Sequence, residues 1–157
     1  MSHETPPLDE LERPRPLVRA GHVTRLFDAG LLRVGRSATP PPFRGRVLSE
    51  EGRFCRFEID LAAGIVERVR FRASPCISLI AYSEWISQRV EGWPIERALG
   101  LTASEVIDGV PEIRETRHLR ARLALRALQS ACAVAGSFEF RFGPVSRANV
   151  GAVAWSI

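Results

Sequence analysis

The chain has no lysine, so all 22 of its basic side chains are arginines. They are spread from Arg13 to Arg147, with no basic run interleaved with aromatics and no nucleic-acid motif. That excludes the usual electrostatic footprint of a nucleic-acid binder, although the net charge is +4. Cysteine is scarce as well. Cys55, Cys76 and Cys132 are an odd number at wide spacings, which excludes a disulfide framework. There is no CxxC or HxxxH pair, and His3, His22 and His118 are scattered, so no ordinary zinc site is signalled. No apolar run approaches the roughly 20 residues that span a bilayer. The start, MSHETPPLDELERPRP, is polar and proline-rich, unlike a secretory signal. No membrane association is expected, and a cytoplasmic location is.

What is present is ordinary for a globular protein. Of 157 residues, 45% are hydrophobic and 25% charged, enough for one domain with one core. Residues 1–16 read as a disordered leader, residues 17–135 as the domain and residues 136–157 as a C-terminal extension. In the segment 17–32 the spacing of Val23, Leu26, Phe27 and Leu31 predicts a helix, ended or kinked at Gly30. Residues 38–43, with three consecutive prolines, read as a linker.

Three strands are expected next: Phe43–Leu48, Phe54–Leu61 and Ile65–Ala73. Cys55, Phe57, Ile59 and Leu61 alternate with Phe54, Arg56, Glu58 and Asp60. Val69, Phe71 and Ala73 alternate with arginines. Period-two patterning of this kind marks a half-buried antiparallel sheet, with Ala62-Ala63-Gly64 as a hairpin turn. Helices follow. One begins at Cys76 and carries Ile77, Ile80, Ala81, Trp85 and Val90 on one stripe. A short helix covers Ile95–Leu99. A third is capped by Thr102 with Glu105 as a capping box. A long helix runs from about Glu115 to Ala135. In the tail, Phe138, Phe140 and Phe142 alternate with Glu139 and Arg141, which predicts an edge strand. The fold class is α+β, a small three-stranded antiparallel sheet with helices packed on one face.

Cys76 is the residue of most chemical interest. A thiol where a strand gives way to a helix sits beside free backbone N–H groups and the positive end of a helix dipole. Cys55 shares the apolar strand face and reads as a small core hydrophobe, as does Cys132 in the last helix.

Three stretches are similar to the U-type (NifU/IscU-like) iron–sulfur cluster scaffold family. They are Gly64-Ile65-Val66-Glu67, Phe71-Arg72-Ala73-Ser74-Pro75-Cys76, and Glu91-Gly92-Trp93-Pro94-Ile95-Glu96. Leu32-Arg33-Val34-Gly35 resembles an upstream element of that family. Residues 121–128 resemble its last helix. A related sulfur-acceptor (SufE-like) family shares the fold. The resemblance implies cluster assembly, with a cysteine desulfurase and an iron donor as partners and an accessory role without turnover.

The family's cluster is held by three cysteines and usually an aspartate. The resemblance places the second cysteine at Cys76 and the third at Arg120. The loop of the first cysteine falls on residues 48–53, which contain none. Cys76 is therefore the candidate cofactor-binding residue, as ligand or sulfur acceptor. Glu51 and His118 are the candidate additional donors to iron or an iron–sulfur cluster. A guanidinium at position 120 favours sulfur or anion chemistry over a metal cation. The alternative is a protein-interaction module that keeps the fold and has lost the cluster site.

Overall fold

The computed structural model describes residues 21–35 and 43–143. The expected leader, the proline linker up to residue 42 and the extension beyond residue 143 lie outside the described residues. The elements run α1 (His22–Gly35), β1 (Phe43–Arg44), β2 (Leu48–Glu50), β3 (Arg53–Ala62), β4 (Ile65–Ala73), α2 (Ile77–Val90), α3 (Ile95–Leu99), α4 (Ala103–Gly109), a 3-10 turn (Glu115–Arg117) and α5 (His118–Phe142).

β3 is the centre of an antiparallel sheet, with β4 on one side and β1 and β2 in line on the other. The expected first strand is thus broken in two. Phe43 faces Ile59 but Leu48 faces Cys55, a slip of one residue. One extra residue in an edge strand is a bulge, which blunts an exposed edge. The far edge of β4 is also covered. Val66 N–H donates to Trp93 C=O (2.8 Å), and Gly92 N–H donates to Val66 C=O (2.7 Å). Arg97 stacks on Trp93 at 4.0 Å, and Arg89 sits over both Trp93 and Trp85. This ladder ties the end of α2 to α3.

The inner face is the one read from the alternation: Cys55, Phe57, Ile59, Leu61, Val69 and Phe71 are buried. The outer face is charged, yet Glu58 is only 1% exposed there. Arg56 (3.0 Å), Arg70 (3.5 Å) and Arg44 (3.8 Å) close over its carboxylate. α5 lies across the inner face on a stripe of buried alanines, Ala121, Ala124, Ala127, Ala131 and Ala135. Small side chains at this spacing let a helix come close to a sheet. Ser130 Oγ accepts the Arg46 N–H of the bulge at 2.8 Å.

α2 is enclosed by α1, α4, α5 and β4. Burial therefore reaches round it, to Ser83, Glu84 and Ser87 as well as Leu79, Ile80, Tyr82 and Ile86. The single stripe expected from sequence is too narrow, and Ile77, assigned to it, is 58% exposed. Gly30 does not end α1. A Cβ there would lie 2.6 Å from Ile80 Cγ2, so glycine is what lets α1 meet α2. The tail strand is also corrected. α5 continues through Phe138 and Phe140 to Phe142 and stops at Gly143, whose φ is +77°. Phe138 packs on Phe43, ring centroids 5.4 Å apart, while Phe140 is 93% exposed. Residues two apart point to opposite sides of a helix nearly as they do in a strand. The alternation was therefore compatible with both.

A buried carboxylate needs a counter-charge, and Glu84 has Arg33. The guanidinium forks onto it, Nε to Oε2 at 2.7 Å and Nη2 to Oε1 at 3.1 Å. Nη1 donates to Val69 C=O at 2.9 Å and to Glu91. Burial alone would lower the Arg33 pKa; the two carboxylates outweigh it and hold the pKa above its ordinary value. Arg33→Ala is expected to lower the unfolding free energy by about 3–5 kcal/mol, because it strands a buried charge. Urea denaturation measures this. Removing both charges with Arg33→Met and Glu84→Leu should recover most of the loss.

Candidate functional site

The start of β3 gathers the three chain segments that matter. β2 turns into β3 through Glu51 and Gly52 alone, with φ of +49° and +71°. Two consecutive left-handed residues are the mark of a type I′ hairpin, and glycine at the second makes it accessible. On the other side, Ser74 clasps both backbone groups of Phe54 with its own N–H and hydroxyl. Ser74 N–H donates to Phe54 C=O at 3.0 Å, and Phe54 N–H donates to Ser74 Oγ at 2.8 Å. This double clasp fixes the two residues that precede Cys76. The third segment is the first turn of α5, where Arg120 reaches the hairpin and Nη1 donates to Glu51 Oε2 at 3.0 Å.

Cys76 is the N-cap of α2, in extended conformation with φ −133° and ψ 119°. Its C=O accepts the Ile80 N–H at 2.9 Å, and its side chain makes no capping bond. The thiol is half-buried between exposed Pro75 and exposed Ile77. The other two cysteines differ. Cys55 is buried with Sγ 3.7 Å from Ser83 Oγ, and burial pushes its thiol up to about 12 despite that contact. Burial likewise pushes the Cys132 thiol up to about 12. Both are protonated core residues, as expected from sequence.

His118, half-buried, is the first residue of α5. Arg120 is buried, its side chain 8% exposed. Its Nε is buried without a hydrogen-bond partner, and so is the Nε of Arg53. Among the described residues no three His, Cys, Asp or Glu side chains form a group that could hold a metal ion. The structure therefore does not bring Cys76, His118 and Glu51 together as one three-donor set, and the Glu51 carboxylate is engaged by Arg120. A self-contained cluster site does not fit these residues: there is one thiol where four ligands are wanted, and a buried cation beside the hairpin opposes another. Arg53 was placed in the loop from sequence. It shares the parity of Cys55, Phe57 and Ile59, and that signal could have put it on the inner face.

The architecture is an antiparallel sheet with helices on one face and a lone half-exposed thiol at the sheet's end. The NifU-like N terminal domain matches residues 51–136. No curated protein sequence matches the chain. Among solved structures, it is similar to the N-terminal part of a nitrogen-fixing NifU-like protein from Brucella abortus. Identity is 12% and the TM-score 0.52, over 74% of this chain and 99% of that one. It is also similar to a crystallised hypothetical protein, at 20% identity and TM-score 0.48, over 69% and 98%. The chain belongs to the NifU-like N-terminal domain family, a family of iron–sulfur cluster assembly scaffolds that is generally non-enzymatic. Among the described residues no helix is long and apolar enough to cross a membrane.

The thiols carry two checkable consequences. Brief treatment of folded protein with iodoacetamide should alkylate Cys76 alone, as read by peptide mass, with Cys55 and Cys132 reacting only after denaturation. The two core thiols also stabilise the fold in a defined pH window. Their folded pKa, about 12, lies above the ordinary 9.0. Their contribution is complete below pH 9 and is lost as pH rises towards 12, because only the unfolded chain ionises there. The expected loss is about 1 kcal/mol per pH unit for each thiol. Denaturant midpoints from pH 8 to 11 measure it, and Cys132→Ala should flatten the slope.

Proposed function

We propose that the protein serves iron–sulfur cluster assembly as a sulfur-accepting accessory, with Cys76 as the acceptor. The observation that carries this reading is the position of Cys76. Among the described residues it is the one thiol outside the core, half-buried at the start of α2 with no side-chain capping bond, where a partner can reach it. The missing three-donor group argues against holding a complete cluster alone.

The transfer is balanced without an added oxidant. The Cys76 thiolate attacks the terminal sulfur of a persulfide on a donor cysteine. A new S–S bond forms at Cys76 Sγ, the donor's S–S bond breaks, and the donor sulfur leaves as thiolate. The donor by resemblance is a cysteine desulfurase. An iron donor would meet the chain only where a partner or second subunit completes the ligand set, with Glu51 and His118 as the oxygen and nitrogen donors at hand. The competing reading is an interaction module that keeps the fold without sulfur or metal. The Glu51–Arg120 pair favours it, because an ion pair joins two segments that ligands join in the resembling scaffolds.

The test is anaerobic incubation with ferrous iron, cysteine and a desulfurase, followed by absorbance and by the mass of the Cys76 peptide. A one-sulfur adduct in the wild type, absent in Cys76→Ser, with no cluster absorbance, is the expected outcome. Cluster absorbance from the chain alone would sink the acceptor reading in favour of a scaffold. Neither adduct nor absorbance would leave the interaction module.

A further inference from the structure

The helices pack on the inner face of the sheet, and the strand register fixes what the outer face shows. Arg56 lies opposite Arg72, Glu58 opposite both Arg70 and Arg44, and Asp60 opposite Arg68. These three rows set Arg44, Arg56, Arg68, Arg70 and Arg72 against Glu58 and Asp60. Glu67 lies beside them at the register shift, and arginine is in excess even with it included. Like charges directly opposite across two strands, as at Arg56 and Arg72, are destabilising, so the sheet itself does not call for them. The negative charge is set deep and the positive charge outward. Glu58 is 1% exposed, and the Asp60 side chain is half-buried. The side chains of Arg44 and Arg68 are 53% and 47% exposed, and Arg72 is exposed too. The face runs on to the end of the sheet that carries the accessible thiol. The next outer position of β3 is Phe54, 41% exposed, held by Ser74 two residues before Cys76. Pro75 and Ile77 are exposed on either side of Cys76.

The geometry points to this outer face as a docking surface for an acidic segment of a partner protein, with Phe54 and Ile77 as apolar contacts at the Cys76 end. Exposed aromatic and arginine side chains beside a charged rim are the make-up of a protein interface. Guanidinium groups match carboxylates fork to fork, and on this face three of them already gather round Glu58. A nucleic acid suits the face less well, because no ring on which a base could stack stands within the three rows. Complementary charge of this kind sets encounter rate and register more than raw affinity. Only the identity of the partner rests on the sulfur-acceptor reading: a sulfur donor laid along the arginine rows brings its cysteine to the Cys76 end. The docking face itself follows from the strand register and the exposed arginines.

The test is fluorescence anisotropy of a labelled peptide of alternating Asp and Glu, titrated with the full chain at low and at high salt. Saturable binding that weakens with salt is expected. Arg68→Glu and Arg72→Glu, both at exposed positions, should each weaken it by roughly three- to tenfold. Arg126→Glu makes the same change in net charge on an exposed position of α5 and should stay within about twofold of the wild type. Asp60→Asn removes a carboxylate from the face and should tighten binding. Equal affinity in the Arg72 and Arg126 variants, or duplex DNA that binds more tightly than the peptide, would overturn the inference. The partner is tested by the initial rate of sulfur transfer from a desulfurase. That rate should fall in Arg68→Glu while iodoacetamide alkylates Cys76 at the wild-type rate. Peptide binding without any transfer to the wild type would sink the acceptor reading and leave the docking face. Transfer at equal rates in the wild type and Arg68→Glu, with no peptide binding, would do the reverse.

Discussion

The carboxylate of Glu84 sets the terms for the rest of this fold. It sits in the middle of α2, 2% exposed, where an unpaired charge would be untenable. Arg33 answers it from the last turns of α1, with both carboxylate oxygens held by one fork. The same guanidinium takes the Val69 carbonyl, while Glu91 accepts the Val69 N–H at 3.2 Å. One cluster of charges thus binds α1, the middle and C-terminal end of α2, and the middle of β4. Gln88 completes it, donating to Glu84 at 2.9 Å. Close contact of α1 with α2 then requires Gly30, and the resulting position of α2 sets its N-terminus against the end of the sheet. Buried ion pairs of this kind add little net stability over an apolar substitute. They do penalise every packing that separates the partners.

The sequence was most readable where one face is wet and the other dry. β3 and β4 alternate cleanly, and both hairpins and the Thr102–Glu105 capping box are local in the chain. Two kinds of feature were hidden. The first is geometry on which two periods agree: Phe138, Phe140 and Phe142 alternate as a strand would, and nothing before Gly143 breaks the helix. The second is pairing across long sequence separation. Arg33 and Glu84 are 51 residues apart, and Glu51 and Arg120 are 69 apart. No local pattern predicts either contact. Arg33 was legible only as part of a resemblance, whereas its function in the fold is electrostatic. The site was half legible: Cys76 stood out by its place at a strand–helix junction, and Arg53 and Arg120 gained meaning only once the hairpin and α5 were seen together.

Two ends of the sheet pair their buried guanidinium groups differently. The outer sheet face shows how this protein neutralises arginines when it needs to: Arg44, Arg56 and Arg70 all surround the carboxylate of Glu58. At the start of β3 the buried guanidinium of Arg120 meets a single carboxylate, that of Glu51. Arg120 is as buried as Arg70, yet its partner Glu51 is on an exposed two-residue turn. An exposed partner contributes less than a buried one, since its charge is screened and its side chain must be ordered. An ion pair between the hairpin and α5 closes this end of the fold, where among the described residues no group of metal-ligating side chains does.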